Sequence, residues 1–260
     1  PYKALGRTQY LGNTLTADWS ASGIEFAANC FGNVSVDITT SQTRLFTLVI
    51  DGTEYKDVEL KNGTNVIAAG LPHGKHTFKI MNQGGYSGAV GINGITMDGT
   101  FCKKPDNGEL LIEFIGDSIT CGYGVDDEDE NHNFSTSTED MTKAYAYRTV
   151  NALDVDYSMV SYSGYGIISG YTGDGVRNAN ELVPPYYEKL AFTYGDFGSK
   201  KPHELNWDFS VRQPDIIVIN LGTNDDSFCL EDEKRRIAMV KIHKKSGCKT
   251  IENNENVNRT

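Results

Sequence analysis

The stretch LLIEFIGDSITCGYG, Leu110 to Gly124, sets an apolar run directly against a glycine-rich turn. Leu110 to Ile115 reads as a strand, because the run is short and ends at once in Gly116. The turn that follows would hold the Ser118 hydroxyl clear of the sheet and aim its backbone N–H at a developing oxyanion. A serine here is also a good helix cap, with Asp117 satisfying loop amides, so the stretch alone leaves both readings open.

Working outward from it, Thr138 to Leu153 reads as a helix with Met141, Tyr145 and Ala152 on one face, and Tyr157 to Tyr162 as a second strand. Asp215 to Leu221, DIIVINL, is preceded by Pro214 and is nearly all apolar, the pattern of a central parallel strand covered on both faces. Glu231 to Lys245 reads as an amphipathic helix with Ile237 and Val240 inward. Strands alternating with helices indicate a doubly wound α/β domain over residues 106–260, whose chemistry belongs at the carboxyl ends of its strands.

Upstream the grammar differs. From Tyr10 to about Thr100, short alternating runs (Val34, Val36, Ile38; Leu45 to Ile50; Val58, Leu60; Phe78, Ile80; Val90, Ile92, Ile95) are punctuated by Asp51-Gly52, Asn62-Gly63 and His73-Gly74. This predicts an antiparallel β-sandwich of jelly-roll type over residues 1–105, with the polar segment Phe101 to Gly108 as a linker.

The 260 residues carry 24 Lys and Arg against 35 Asp and Glu, a net charge of −11. That balance argues against nucleic acid and anionic membranes as partners, since both are bound through excess cationic side chains. With 38% hydrophobic and 23% charged residues the composition suits a globular protein, and no apolar run approaches the length of a membrane span. The chain opens at Pro1 without a charged-then-apolar leader, which constrains localisation little. Cys30, Cys102, Cys121, Cys229 and Cys248 are odd in number and widely spaced, so they read as small buried residues, neither a disulfide framework nor a zinc site.

Two further motifs follow predicted strands. In SYSGYG, Gly164 allows close backbone approach and offers an N–H to a substrate oxygen; taken alone the segment is also an ordinary turn. In NLGTNDDS, Asn224 is a neutral amide suited to donate to an oxyanion, and equally a residue type that caps the next helix. Three such motifs, each past a parallel strand, point together to a site.

IGDSITCGYG, SYSGYG and NLGTNDDS resemble the first three blocks of the SGNH, or GDSL-type, hydrolases. The opening LGRTQYLGNTLTADWSASGIEFAANCFGNVSVDI, the CGYG extension and WDFSVRQPDIIVINLGTNDDS are similar to carbohydrate esterase family two, over roughly residues 5–229. The resemblance implies a jelly roll joined to a flavodoxin-like hydrolase domain that removes O-acetyl groups from plant-wall polysaccharide such as xylan or glucomannan. By it Ser118 is the nucleophile, and the Ser118 amide, the Gly164 amide and the Asn224 side chain form the oxyanion hole. Neither metal nor cofactor is expected. The expected partner is acetylated polysaccharide or oligosaccharide, with Tyr123, Tyr162 and Tyr165 beside the site for sugar stacking and Asp117 as a further substrate contact. A secreted monomer is the expectation.

The family's fourth block, an Asp-x-x-His near the C-terminus, has no match here, so the α/β domain is expected to be C-terminally incomplete. His243 reads as a solvated helical residue, Asp129 to His132 is the literal Asp-x-x-His but lies in the acidic run DDEDENHN, His203 precedes a buried strand, and His73 and His76 belong to the sandwich. The alternative function is therefore a non-catalytic or weakly active carbohydrate-binding esterase remnant.

Overall fold

The computed structural model describes residues 1–83, 88–133, 135–192 and 201–229. The first part is an antiparallel sheet of β1 (Lys3–Leu5), β2 (Thr8–Leu11), β3 (Thr14–Ala17), β4 (Gly23–Thr39), β5 (Arg44–Ile50), β6 (Thr53–Leu60), β7 (Gly63–Asn82) and β8 (Val90–Phe101). Their order is β2-β3-β8-β4-β7-β5-β6, with β1 added to β4. Register shifts interrupt the β4–β7 ladder between Cys30 and Ser35. Such bulges bend a strand and re-aim its side chains. The extra residues of that ladder lie on β7, so β4 keeps its alternation, and Ile24, Phe26 and Ala28 before the shifts and Val34, Val36 and Ile38 after them enter the same core, where Phe26 stacks on Phe78 at 4.7 Å.

Asp51-Gly52 forms the β5–β6 hairpin with φ of 51° and 80°, the two-residue turn whose twist matches its strands. His73-Gly74 does not turn the chain. It lies inside β7, where Pro72 and His73 fall between the pairs Cys30–Gly74 and Gly32–Leu71, so the turn signal marks a bulge.

The second part is a parallel sheet of β9 (Leu111–Gly116), β10 (Asp156–Ser161) and β11 (Ile216–Asn220), in the order β10-β9-β11. The central strand is β9, buried along its whole length. Among the described residues β11 stands at the edge, with Ile216, Ile217 and Ile219 47%, 49% and 46% exposed, where the composition of DIIVINL predicts a central strand covered on both faces. The expected helix Glu231 to Lys245, and His243 with it, lie outside the described residues.

Short helices α1 (Ser118–Cys121), α2 (Tyr145–Leu153), α3 (Pro184–Tyr187) and α4 (Thr223–Cys229) accompany the sheet. The helix expected from Thr138 begins only at Tyr145. Asp140 prevents an earlier start, because its carboxylate accepts the Thr142 N–H and hydroxyl while its own N–H donates to the Gly122 carbonyl. The buried face of α2 is Ala146, Tyr147 and Val150. Met141 is buried from the preceding turn, and Ala152 is exposed.

The two sheets share a core in which Leu5, Ala21 and Met81 pack with Ile112, Phe114, Met141 and Met159. Glu113, a charge inside the central strand, is answered by Arg7, whose Nε and Nη2 donate to Oε2 at 3.1 and 3.0 Å. The Tyr187 hydroxyl donates to its Oε1 at 2.9 Å, and the rings of Tyr187, Trp207 and Phe209 surround the guanidinium. No helix among the described residues is long and apolar enough to cross a membrane.

Candidate active site

Register builds the site. Gly116 at the end of β9 is paired with Ser161 of β10 on one side and Asn220 of β11 on the other, so the three strands finish level. The chain then leaves each strand on the same edge, as Asp117-Ser118, Tyr162-Ser163-Gly164 and Leu221-Gly222-Thr223-Asn224. Gly116 is required by contact, since a Cβ there would strike the Thr120 side chain and crowd the Asn220 carbonyl.

Ser118 is the first residue of α1 and is half-buried. Asp117 caps that helix, its Oδ1 accepting the Ile119 N–H at 3.1 Å, and it has no exposed surface. Burial pushes its carboxyl pKa up, and the neighbouring Asp225 adds to the effect. The expected substrate contact is thus a capping and bracing residue in this geometry.

Asn224, the second residue of α4, joins the other two motifs: its Nδ2 donates to the Tyr165 carbonyl at 2.8 Å and reaches Asp117 Oδ2 at 3.4 Å. Gly164 is half-buried with φ of +85°, a left-handed conformation that favours glycine, and its carbonyl accepts the Tyr171 N–H at 2.8 Å. Ser118, Gly164 and Asn224 therefore sit on one rim, bound to one another through Asp117 and Tyr165.

Of the three tyrosines named from the sequence, Tyr123 is exposed and Tyr165 half-buried, both compatible with a sugar face. Tyr162 is not: it is buried and stacks on Phe192 at 4.1 Å. Phe192 also meets Tyr165 edge-on at 4.5 Å and Trp19 at 5.5 Å, which props Tyr165 from behind.

Two further acidic residues brace the rim. Asp225 is buried and accepts the backbone N–H groups of Ile167, Ile168 and Ser169 at 2.5 to 3.1 Å, pinning the loop that carries Gly164. Its sequence signal, an Asp in a helix's first turn, reads as an ordinary cap. Glu139 is buried and accepts the Ser163 hydroxyl. Nothing local in the sequence marks it.

His76 is held by Asp51 at 2.6 Å and by the Pro72 carbonyl, His73 stacks on Phe31, and the exposed His132 ring contacts Asp127 at 2.6 Å instead of Asp129. His203 follows Pro202 in a 3-10 turn beside Glu204. A cavity of about 470 Å³ opens at the opposite, amino end of the parallel strands, between Lys3, Asn107, Asp156 and Trp207, and its walls include neither Ser118, Gly164 nor Asn224.

An antiparallel sandwich packed on a parallel α/β sheet, with a serine turn at its central strand, is the layout of the family two carbohydrate esterases. The chain belongs to the GDSL-like lipase/acylhydrolase family, which it matches over residues 112–249, and residues 4–105 match the carbohydrate esterase 2 N-terminal family. It is 29% identical over 228 residues to a cellulase/esterase CelE of Acetivibrio thermocellus, covering 86% of this chain and 26% of that protein. It is 29% identical over 221 residues to an acetylxylan esterase / glucomannan deacetylase of Cellvibrio japonicus, covering 83% and 53%. The chain thus spans about a quarter and about half of these relatives. A family two carbohydrate esterase from Clostridium thermocellum, solved in complex with cellohexaose, superimposes with a TM-score of 0.78 at 26% identity, over 95% of this chain and 73% of that one.

Proposed function

We propose that the protein is a serine-dependent O-acetyl esterase acting on plant-wall polysaccharide, with its hydrolase part beginning near residue 106 and its sandwich occupying residues 1–105. The observation that carries this is the convergence of Ser118, Gly164 and Asn224 on one rim, tied together by the Asn224 amide. Support for the substrate class comes from the relatives, named as acetylxylan esterase and glucomannan deacetylase, and from the neighbour holding cellohexaose.

In this mechanism the Ser118 oxygen attacks the acetyl carbonyl carbon. The carbonyl oxygen becomes negative and accepts hydrogen bonds from the Ser118 and Gly164 N–H groups and from the Asn224 N–H that gives up its long 3.4 Å contact to Asp117 Oδ2. The sugar hydroxyl leaves with a proton, and water then attacks the acetyl-serine to release acetate. Serine needs a base to take its proton, and we assign that role to none of the described histidines. Tyr123 and Tyr165 supply faces for sugar rings. A neutral glycan suits a chain of net charge −11, which repels polyanions. Wall polysaccharide lies outside the cell, so the reading implies an extracellular protein, which we propose acts as a monomer.

The test is acetate release from p-nitrophenyl acetate, acetylated xylan and acetylated glucomannan, comparing the protein with Ser118→Ala. Loss of release in the variant is expected. Equal release by both refutes the serine assignment. Glycan binding by calorimetry with no release at any protein concentration supports the alternative, a carbohydrate-binding esterase remnant.

A further inference from the structure

Beneath the rim lies a buried polar cluster that the mechanism above does not use. Glu139 accepts the hydroxyl of Ser163, the residue immediately before Gly164. The Glu139 carbonyl accepts Gln83 Nε2 at 3.3 Å, and the same Nε2 donates to Asp57 Oδ1 at 2.7 Å, so the sandwich grips this residue directly. Cys121, at the end of the helix that Ser118 begins, is fully buried among the hydroxyls of Ser20, Ser161 and Ser163. Ser161 in turn donates to Ser20 at 3.4 Å. The cluster therefore connects the sandwich, the Ser118 helix and the Gly164 loop in one hydrogen-bonded unit.

A carboxyl with almost no exposed surface is costly to keep unless its geometry serves something. A β-turn glycine alone does not need such a partner, because Tyr171 already holds the Gly164 carbonyl. What Glu139 adds is control of the residue on the N–H side of Gly164, the side that faces an oxyanion. We infer that Glu139 is a positioning residue: through Ser163 it sets the direction of the Gly164 N–H, and through Gln83 it couples that direction to the sandwich. This rests on the esterase reading of the rim.

The groups that face the Glu139 carboxyl are Ser163 from the loop after β10, Lys56 from β6 and the Cys121 thiol from α1, with Asp140 its neighbour in the chain. Burial pushes the Glu139 pKa up to about 7, against the Ser163 hydrogen bond and the Lys56 charge, which lower it. The ionised form is a pure acceptor and fixes the direction of the Ser163 hydroxyl; the protonated form can also donate, and so holds the loop less uniquely.

The probe is diethyl p-nitrophenyl phosphate. The Ser118 oxygen forms a bond to phosphorus, p-nitrophenolate leaves with the electron pair of the broken P–O bond, and the serine proton passes to solvent or base. The released nitrophenolate gives the rate, and the intact mass gives the adduct. Ser163→Ala and Glu139→Ala are each expected to slow phosphorylation of Ser118 on the order of tenfold to a hundredfold, as small displacements of a charge-stabilising donor do. The double variant is expected to be no slower than the slower single one, and Glu139→Gln, which keeps an acceptor oxygen, to recover most of the loss. The ratio of wild-type to Glu139→Gln rates is expected to rise as pH passes upward through about 7, and taking the ratio removes the titration of any base common to both. If Glu139→Ala does not fold, Ser163→Ala breaks the same bond from the side of a small residue and carries the test.

Ser163→Ala reacting at the wild-type rate, multiplicative effects in the double variant, or a rate ratio flat or falling with pH overturns the positioning role while leaving the esterase reading intact. Absence of any adduct on Ser118 in the wild type overturns both.

Discussion

Asp225 offers the sharpest perturbation of the site's framework. Its buried carboxylate receives three backbone N–H groups: Ile167 at 3.1 and 3.0 Å to its two oxygens, Ile168 at 2.5 Å and Ser169 at 3.0 Å. Removing the acceptor in Asp225→Ala strands three donors, each worth about 1–3 kcal/mol when left unpaired. Some of that is returned by water entering the vacated space, so a net loss of about 3–6 kcal/mol is expected, a large share of the roughly 5–15 kcal/mol that holds a domain together. Asp225→Asn keeps Oδ1, which serves all three donors, but loses the charge and turns an NH₂ toward Ile167. About 1–2 kcal/mol is expected for it. Urea unfolding followed by the fluorescence of buried Trp19 measures both, and amide exchange at residues 167–169 localises the effect. The reasoning fails if Asp225→Ala unfolds within about 1 kcal/mol of wild type with those amides still protected.

Arg7→Met leaves the Glu113 charge buried with one remaining donor and is expected to cost about 3–5 kcal/mol, whereas Arg7→Met with Glu113→Leu should lie much nearer wild type; additive losses in the four-member cycle would refute the pairing. Asn224→Ala is expected to lower kcat on p-nitrophenyl acetate on the order of a hundredfold or more with little change in KM, and a change confined to KM would remove it from the oxyanion hole. Burial works to raise the Asp156 pKa, but hydrogen bonds from Lys3, Arg212 and the Gly108 N–H outweigh it and hold the carboxyl below its ordinary value. A depressed pKa contributes stability that is complete above the unfolded value of about 4 and is lost as pH falls through the folded value. Asp156→Asn should therefore lose stability at neutral pH and show a shallower acid-side decline, and parallel pH–stability curves for the two proteins would refute the linkage.

Much of the fold was legible because its signals are local. The alternation from Val34 to Ile38 and the run Leu110 to Ile115 carry their own periodicity, and Asp51-Gly52 needs only its own two φ angles. Errors arose where a distant contact competes with a local pattern. Asp140 bonds to the Gly122 carbonyl and so delays α2 by seven residues relative to Thr138, and the Gly signal at residue 74 is absorbed by a bulge of β7 against β4. Tyr162 carries the same local signal as Tyr165, and only the distant Phe192 stacked on it removes it from the surface.

The sequence by itself determined where the strand grammar changes and marked the three strand-end positions, Ser118, Gly164 and Asn224, proposed for the rim, because the neighbours of each define its strand end. Tertiary structure alone decided what holds that rim in place. Glu139 meets Ser163 across 24 residues, Asp225 meets Ile167 across 58, and Arg7 meets Glu113 across 106. A carboxylate's partner is chosen by proximity in space, and no spacing along the chain records that choice until parallel register has brought the strand ends level.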